Sequence, residues 1–410
     1  MKKDRWKRPI ACFLVLALMA VLCLGCGGDK ADGKVTIVIG EMTDLTGPAS
    51  PAIIPFHYGL QDIIKYYNEE GFIPGVQLKA VTYDTHLNPA RAIPGWEWCI
   101  ERGAEVVQVM LATDAETLKT LAEREKVAIF TVSSTEYLED PPGWVFGSSC
   151  LDTDQLRTML NWISEEHWDY TAEGSVPKVG YCGWRDPMGI EQERALREYC
   201  QAHPDKFQWV DGFLAPVGTM SFRPEIEGLK DCDYVCPFGT AGAAFMKGFR
   251  AKGYDATFFS DASAPAFRGF YADMVGWEGL DGSVCVFMNR LWNETDPYID
   301  LASEILYRYR ADEAEEIINA SSSYAGAIII NVMFLELLQE AIEEAGGAEN
   351  FDGQAFYDAA IKFEVELEGF PKRFYTDTKR FLTDHVAVYE WSAEVEDLVR
   401  VSDWLPLITE

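Results

Sequence analysis

The apolar and polar positions of this chain alternate between two periods. Residues 35–39 form a short, wholly β-branched stretch, the pattern of a buried strand. Leu60, Ile63, Ile64 and Tyr67 then recur at i, i+3, i+4 and i+7, which is one face of a helix, and Gly71 suits the position just past its end. Residues 76–81 read as a second strand. Asn88 and Pro89 suit the cap and first position of a helix running to about Arg102. Residues 106–111 read as a third strand. Thr113 and Glu116 have the spacing of a capping box before a helix to about Lys126. Residues 127–132 read as a fourth strand. Strands separated by single helices imply right-handed βαβ units and a parallel sheet covered on both faces.

Residues 133–149 are rich in turn formers and aromatics. Leu156, Met159, Leu160 and Ile163 then share a helix face. After the polar stretch 171–177 the rhythm restarts, with strands at 178–182, 207–214, 233–236, 257–259 and 283–288. Helices fall between them at 190–200, 224–229 and 241–252. The tail differs: long helices around 297–310, 324–345 and 354–363, then a strand-like stretch at 385–391. The expected class is α/β, with two doubly wound parallel-sheet lobes. In such sheets ligands bind beyond the carboxyl ends of the strands. Residues just after strands are therefore the candidates for chemistry.

The N-terminus has another character. Lys2, Lys3, Arg5, Lys7 and Arg8 precede an uncharged apolar run of 16 residues from Ile10 to Gly25. A basic segment before a short apolar one reads as an export leader, residues 1–25. Gly25 and Cys26 fit a bacterial lipobox, although Cys23 stands where Leu is usual. Lipidation of Cys26 would hold the protein to the membrane by stable acyl anchoring. Residues 26–34 would be a linker.

The full chain carries a net charge of −31, with 66 acidic and 35 basic residues. Removal of the basic leader would leave the body near −35. Such a charge repels phosphate backbones and excludes a nucleic-acid partner. Beyond Cys26 lie seven cysteines, an odd number, so at least one stays free even in a compartment that permits disulfides. Cys232 and Cys236 have no histidine near them, so no metal site is expected, and no cofactor.

Catalytic constellations are missing. His57, His86, His167, His203 and His385 stand in unrelated contexts, and no nucleophile-elbow, metalloprotease, P-loop or dinucleotide motif occurs. What stands out is a set of strand ends rich in hydroxyl and amide donors. Thr113 and Asp114 follow the third strand at a helix N-terminus, a place suited to a carboxylate. Ser133, Ser134 and Thr135 follow the fourth.

Asp44-Leu45-Thr46-Gly47-Pro48 after the first strand resembles a loop of the type I periplasmic solute-binding proteins, the branched-chain amino acid receptor group of ABC importers. Tyr83-Asp84-Thr85 through Asn88-Pro89-Ala90-Arg91-Ala92, and Tyr324-Ala325-Gly326-Ala327 opening a long helix, are similar to further elements of that family. The resemblance implies two lobes joined by three crossovers that close on a small solute. It implies a first lobe of 35–150 with about 289–375, and a second of 151–288 with about 376–410. It implies a solute carboxylate met by Thr113, Ser133 and Thr135. The family's acid for a solute ammonium falls on Ala262, so Asp261, one residue away, is the candidate replacement. The family's closing Tyr falls near Met188, with Trp184 and Arg185 just before it. Trp184 and Phe238 could cover an aromatic or alkyl group, and Arg185 would favour an additional carboxylate.

The expectation is therefore a non-enzymatic, lipid-anchored, exported binder that delivers a small carboxylate-bearing solute to an ABC permease. Two solute classes stay open: an amino acid held through Asp261, or a non-amino organic acid. A ligand sensor serving a signalling partner is a further reading.

Overall fold

A computed structural model of the protein describes residues 33–132 and 134–409. The export leader and Cys26 lie outside the described residues, as does Ser133.

The first sheet has five parallel strands in the order β2-β1-β3-β4-β5. They are β1 (Val35–Thr43), β2 (Val76–Asp84), β3 (Ala104–Val109), β4 (Ala128–Thr131) and β5 (Val145–Gly147). The helices between them are α1 (Ser50–Glu70), α2 (Ala92–Ile100), α3 (Ala112–Glu125) and the short α4 (Glu136–Glu139). α1 ends as its sequence demands: Gly71 takes φ 70°, and its N–H donates to Tyr67 O. Asn88 caps a 3-10 turn, Pro89–Arg91, that leads into α2. β5 and α4 both lie within the stretch that sequence shows only as turns and aromatics.

The second sheet follows the order β14-β13-β10-β9-β8-β6-β7, with β15 paired to β13. After α5 (Asp152–Trp162) come β6 (Lys178–Trp184), α6 (Pro187–Ala202), β7 (Gln208–Ala215), α7 (Arg223–Leu229), β8 (Tyr234–Pro237), α8 (Gly239–Ala251), β9 (Thr257–Ser260) and β10 (Val284–Phe287). The pairs from β7 to β10 are parallel. β13 (His385–Ser392) joins β10 antiparallel, and β14 (Asp397–Arg400) joins β13 the same way, so this sheet is mixed at one edge. β13 and β14 are joined by a short turn, a connection available only to antiparallel neighbours. β15 is the pair Leu405–Pro406.

Each sheet has its own apolar core. The long helices α9 (Pro297–Arg310), α10 (Ser323–Glu344) and α11 (Gly353–Ala360) return to the first. Among the described residues α10 alone is long and apolar enough to cross a membrane, yet 83% of its apolar window is buried inside the protein. It is a core helix, apolar all round in its N-terminal half and with its glutamates on the outer face of the rest. All seven cysteines from Cys99 to Cys285 are buried free thiols.

Three crossovers join the lobes, following β5, following β10 and leading into β13. The first and third run side by side. Gly147 N donates to Arg380 O at 2.7 Å, and Leu382 N donates back to Gly147 O at 2.9 Å. A side chain at Gly147 would sit 2.1 Å from the Phe381 ring, so only glycine allows this approach. The second crossover is tied to β12 (Arg373–Phe374), the partner of β11 (Glu364–Val365). Arg373 is fully buried and donates to Met288 O and to Asn289 Oδ1.

Candidate functional site

The strand ends of both sheets open into one cleft between the lobes, a cavity of about 250 Å³. β3 delivers Met110, Leu111 and Thr113 to its wall, β4 delivers Val132, and β5 delivers Ser148 and Ser149. From the other side β6 delivers Trp184 and Asp186, β8 delivers Phe238, β9 delivers Asp261 and Ser263, and β10 delivers Met288 and Asn289. The first turns of α1 (Ala52, Ile53, Phe56) and α10 (Ser322, Ser323, Gly326, Ile330) close the remaining sides. Most of this wall is apolar. Its carboxylates are Asp152, Asp186 and Asp261, and no Lys, Arg or His is among its described residues.

Asp152 and Asp261 form the polar floor. Asp152 opens α5, the first helix after the first crossover. Its Oδ1 accepts from Ser134 Oγ at 2.8 Å and Gln155 Nε2 at 3.1 Å. Asp261 Oδ1 accepts from Ser263 N at 3.0 Å and Ser263 Oγ at 2.5 Å. Gln192, from α6, donates to Oδ2 of both, at 3.3 and 2.6 Å. Burial raises the pKa of each carboxyl, and the charge of Asp261 raises that of Asp152 further. Two buried acids held by neutral donors lack a counter-charge. A cation entering the cleft would supply it.

Asp186 caps α6, its Oδ1 accepting from Gly189 N at 2.7 Å. Burial lifts its pKa to about 6 against that hydrogen bond.

The structure sorts the residues singled out in the sequence. Thr113, Trp184, Met188, Phe238 and Asp261 line the cleft. The indole of Trp184 is fixed by donation to Thr219 O at 2.9 Å, leaving its ring as wall. Asp114, Ser134, Thr135 and Arg185 do not line it. The cap of α3 is Leu111, with no side-chain cap, so the capping box is not formed. One turn on, Asp114 points into the first lobe beside Thr85 and Asp44. Burial raises its pKa to about 6, and its Oδ2 has no partner. Ser134 supports Asp152 from behind. Thr135 is turned to Glu116, donating at 2.7 Å. Arg185 is exposed, because the strand-to-helix turn presents its neighbours Trp184 and Asp186 instead. The sequence pattern does not single out Asp152, Gln155, Asp186 or Asn289. The signal that could find them is a position just past the carboxyl ends of β5, β6 and β10.

The chain matches the family model described as periplasmic binding protein over residues 36–396. It belongs to that family, whose members are non-enzymatic binders of small solutes and work outside the cytoplasm; the family's link to ABC transporters is a property of the group. No curated protein sequence matches it. Among solved structures, it is similar to a branched chain amino acid ABC transporter protein of Thermus thermophilus with bound valine. That pair shares 19% identity over 91% of this chain and 97% of the other, at a TM-score of 0.78. It is also similar to a solute binding protein of R. palustris in complex with 4-hydroxybenzoate, at 17% identity, 91% and 97% coverage and a TM-score of 0.71. A fatty acid ABC transporter substrate-binding protein of Thermomonospora curvata shares 12% identity over 93% and 95% of the two chains, at a TM-score of 0.76. At such identities these likenesses describe the two-lobed fold.

Proposed function

We propose that the protein captures an amino acid with an apolar side chain and delivers it to an ABC permease, tethered to the membrane through a lipid on Cys26. The observation that carries the solute class is the buried pair Asp152 and Asp261 in a cleft whose described wall has no basic side chain. An ammonium between them satisfies both acids. The carboxylate then turns toward Thr113 and the N-terminal amides of α3, with the hydroxyls of Ser148 and Ser149 nearby. Phe56, Trp184, Met188 and Phe238 surround the remaining apolar part. The valine carried by the Thermus thermophilus structure is a solute of this kind.

A second reading, a non-amino organic acid, has one observation in its favour. Burial raises both carboxyls, and a pair that keeps its protons would not repel an anion. The 4-hydroxybenzoate complex supports the same reading.

A thermal-shift screen separates the two. Leucine, isoleucine, valine and phenylalanine should raise the melting point with concentration, because they bind the native state alone. If 4-hydroxybenzoate or a fatty acid raises it and none of the amino acids does, the amino-acid reading fails.

A further inference from the structure

The described cleft wall has no basic side chain, yet one lies directly behind it. Arg373 is fully buried and forms no ion pair with a carboxylate among the described residues. Its guanidinium donates from Nη1 to Asn289 Oδ1 at 3.3 Å and from Nη2 to the same oxygen at 3.2 Å. Nη2 also donates to Met288 O, and the Phe370 ring lies 4.8 Å away. A guanidinium has only donors, so the amide of Asn289 must turn its oxygen to Arg373 and its nitrogen away. The nitrogen faces the cleft: a Cβ placed on Gly326, which lines the cavity, would lie 3.9 Å from Nδ2. Asn289 is only 2% exposed, and its Nδ2 donates to no protein atom among the described residues. Asn289 lines the cavity, so this free donor opens onto the cleft, where a solute oxygen can accept from it.

We propose that Asn289 Nδ2 is a solute-binding donor that takes an acceptor oxygen of the bound solute, and that Arg373 is the positioning residue that fixes its orientation. Arg373 also polarises the amide, because a cation on the oxygen side strengthens the donors on the nitrogen side. Burial lowers its pKa to about 10, which leaves it charged at neutral pH. Positive charge thus reaches the solute through one amide while the cleft itself stays free of cations that would repel an ammonium. The placement adds a link to motion. Asn289 stands on the second crossover and Arg373 on the strand before the third, so the donor is set by the segments on which the lobes turn. The inference rests on the cleft being the solute site, but not on which of the two solute classes it takes.

The test uses Asn289→Asp and Asn289→Leu in the full chain, with L-leucine, L-phenylalanine and 4-hydroxybenzoate as probes. Asn289→Asp keeps an oxygen on Arg373, which gains an ion pair, so the variant folds and its unliganded melting point is at least that of the wild type. Its cleft-facing atom becomes an acceptor. Whichever probe the wild type binds should then bind roughly 10- to 100-fold more weakly, about 1.4–2.7 kcal/mol, as a lost hydrogen bond to the solute predicts. Arg373→Lys tests the positioning role. It retains the charge without the planar fork, and should weaken the same probe while sparing isoamylamine, which has no oxygen to accept. Unchanged probe affinity in Asn289→Asp and Asn289→Leu overturns the proposal, as does a wild type that binds none of the three. If 4-hydroxybenzoate alone binds and Asn289→Asp loses it, this proposal stands while the amino-acid reading falls.

Discussion

Asp152 and Asp261 come from different segments of the chain, yet they share one amide: Gln192 Nε2 donates to Asp261 Oδ2 at 2.6 Å and to Asp152 Oδ2 at 3.3 Å. The bridge holds two buried acids side by side at the floor of the cleft. Neutral donors can orient such a pair but cannot cancel its repulsion. On the proposed reading, a positive group that arrives with the solute cancels it.

Replacing Asp261 with Asn removes one of these charges and keeps the shape. Calorimetry should show an ammonium-bearing solute bound about 2–5 kcal/mol more weakly, the range for losing one partner of a buried charge contact. Both Asp261 oxygens accept hydrogen bonds, so the Asn nitrogen loses one of them, which offsets the repulsion relieved in the unliganded protein. Unchanged affinity would remove Asp261 from the site.

Asp114 supplies a pH dependence that is separate from the cleft. Its native pKa of about 6 lies above the unfolded value of about 3.9, so the native state holds the extra proton between the two. Stability from this group is therefore present at low pH and falls as pH rises from about 4 to about 6. Asp114→Asn should flatten that fall. It should stabilise the protein by about 2–3 kcal/mol at pH 7.5, because each tenfold loss of proton affinity on unfolding is worth about 1.4 kcal/mol. Denaturant unfolding at pH 4.5 and pH 7.5 checks both statements. An unaltered slope would contradict them.

Gly326 sits inside α10 with φ in the ordinary range, and a Cβ there would meet nothing closer than Asn289 Nδ2 at 3.9 Å. Alanine should stabilise the unliganded protein by up to about 1 kcal/mol through helix propensity. The added methyl enters the cleft, so solute affinity should fall. A variant with higher melting point and unaltered affinity would show that solute does not reach this wall.

Much of this fold is legible in the sequence because its parallel strands are buried on both faces and its helices on one. Each leaves a clean pattern, and Asp261 is reached through the family resemblance, one residue from the position of the family's acid. The rest is hidden for definite reasons. β5 is only three residues long and sits among turn formers and aromatics, so Ser148, Ser149 and Asp152 after it have no visible strand to mark them. Thr113 has capping-box spacing, yet Leu111 is the cap, and a shift of one or two residues turns Asp114 away from the cleft. At the end of β6 the same sensitivity exposes Arg185 and turns Asp186 to the cleft. Arg373 and Asn289 are 84 residues apart and meet only where the crossovers converge.

The seven buried cysteines give a check on compartment and packing together. Burial raises the pKa of Cys99, Cys200 and Cys232 to about 12, so these thiols stay protonated at neutral pH. A thiol reagent should leave all seven unmodified in the native protein and label them once it is denatured, and reductant should leave the melting point unchanged. A disulfide found by mass spectrometry between any two of them would contradict this packing.

The most direct measurement compares solutes that differ by the amino group alone: titration calorimetry of L-phenylalanine against 3-phenylpropanoate, and of L-leucine against 4-methylpentanoate. The acid pair at the cleft floor predicts that the amino acids bind and that each des-amino partner binds at least about tenfold more weakly, a difference of about 1.4 kcal/mol or more. Equal or tighter binding of the des-amino acids would contradict an ammonium between Asp152 and Asp261.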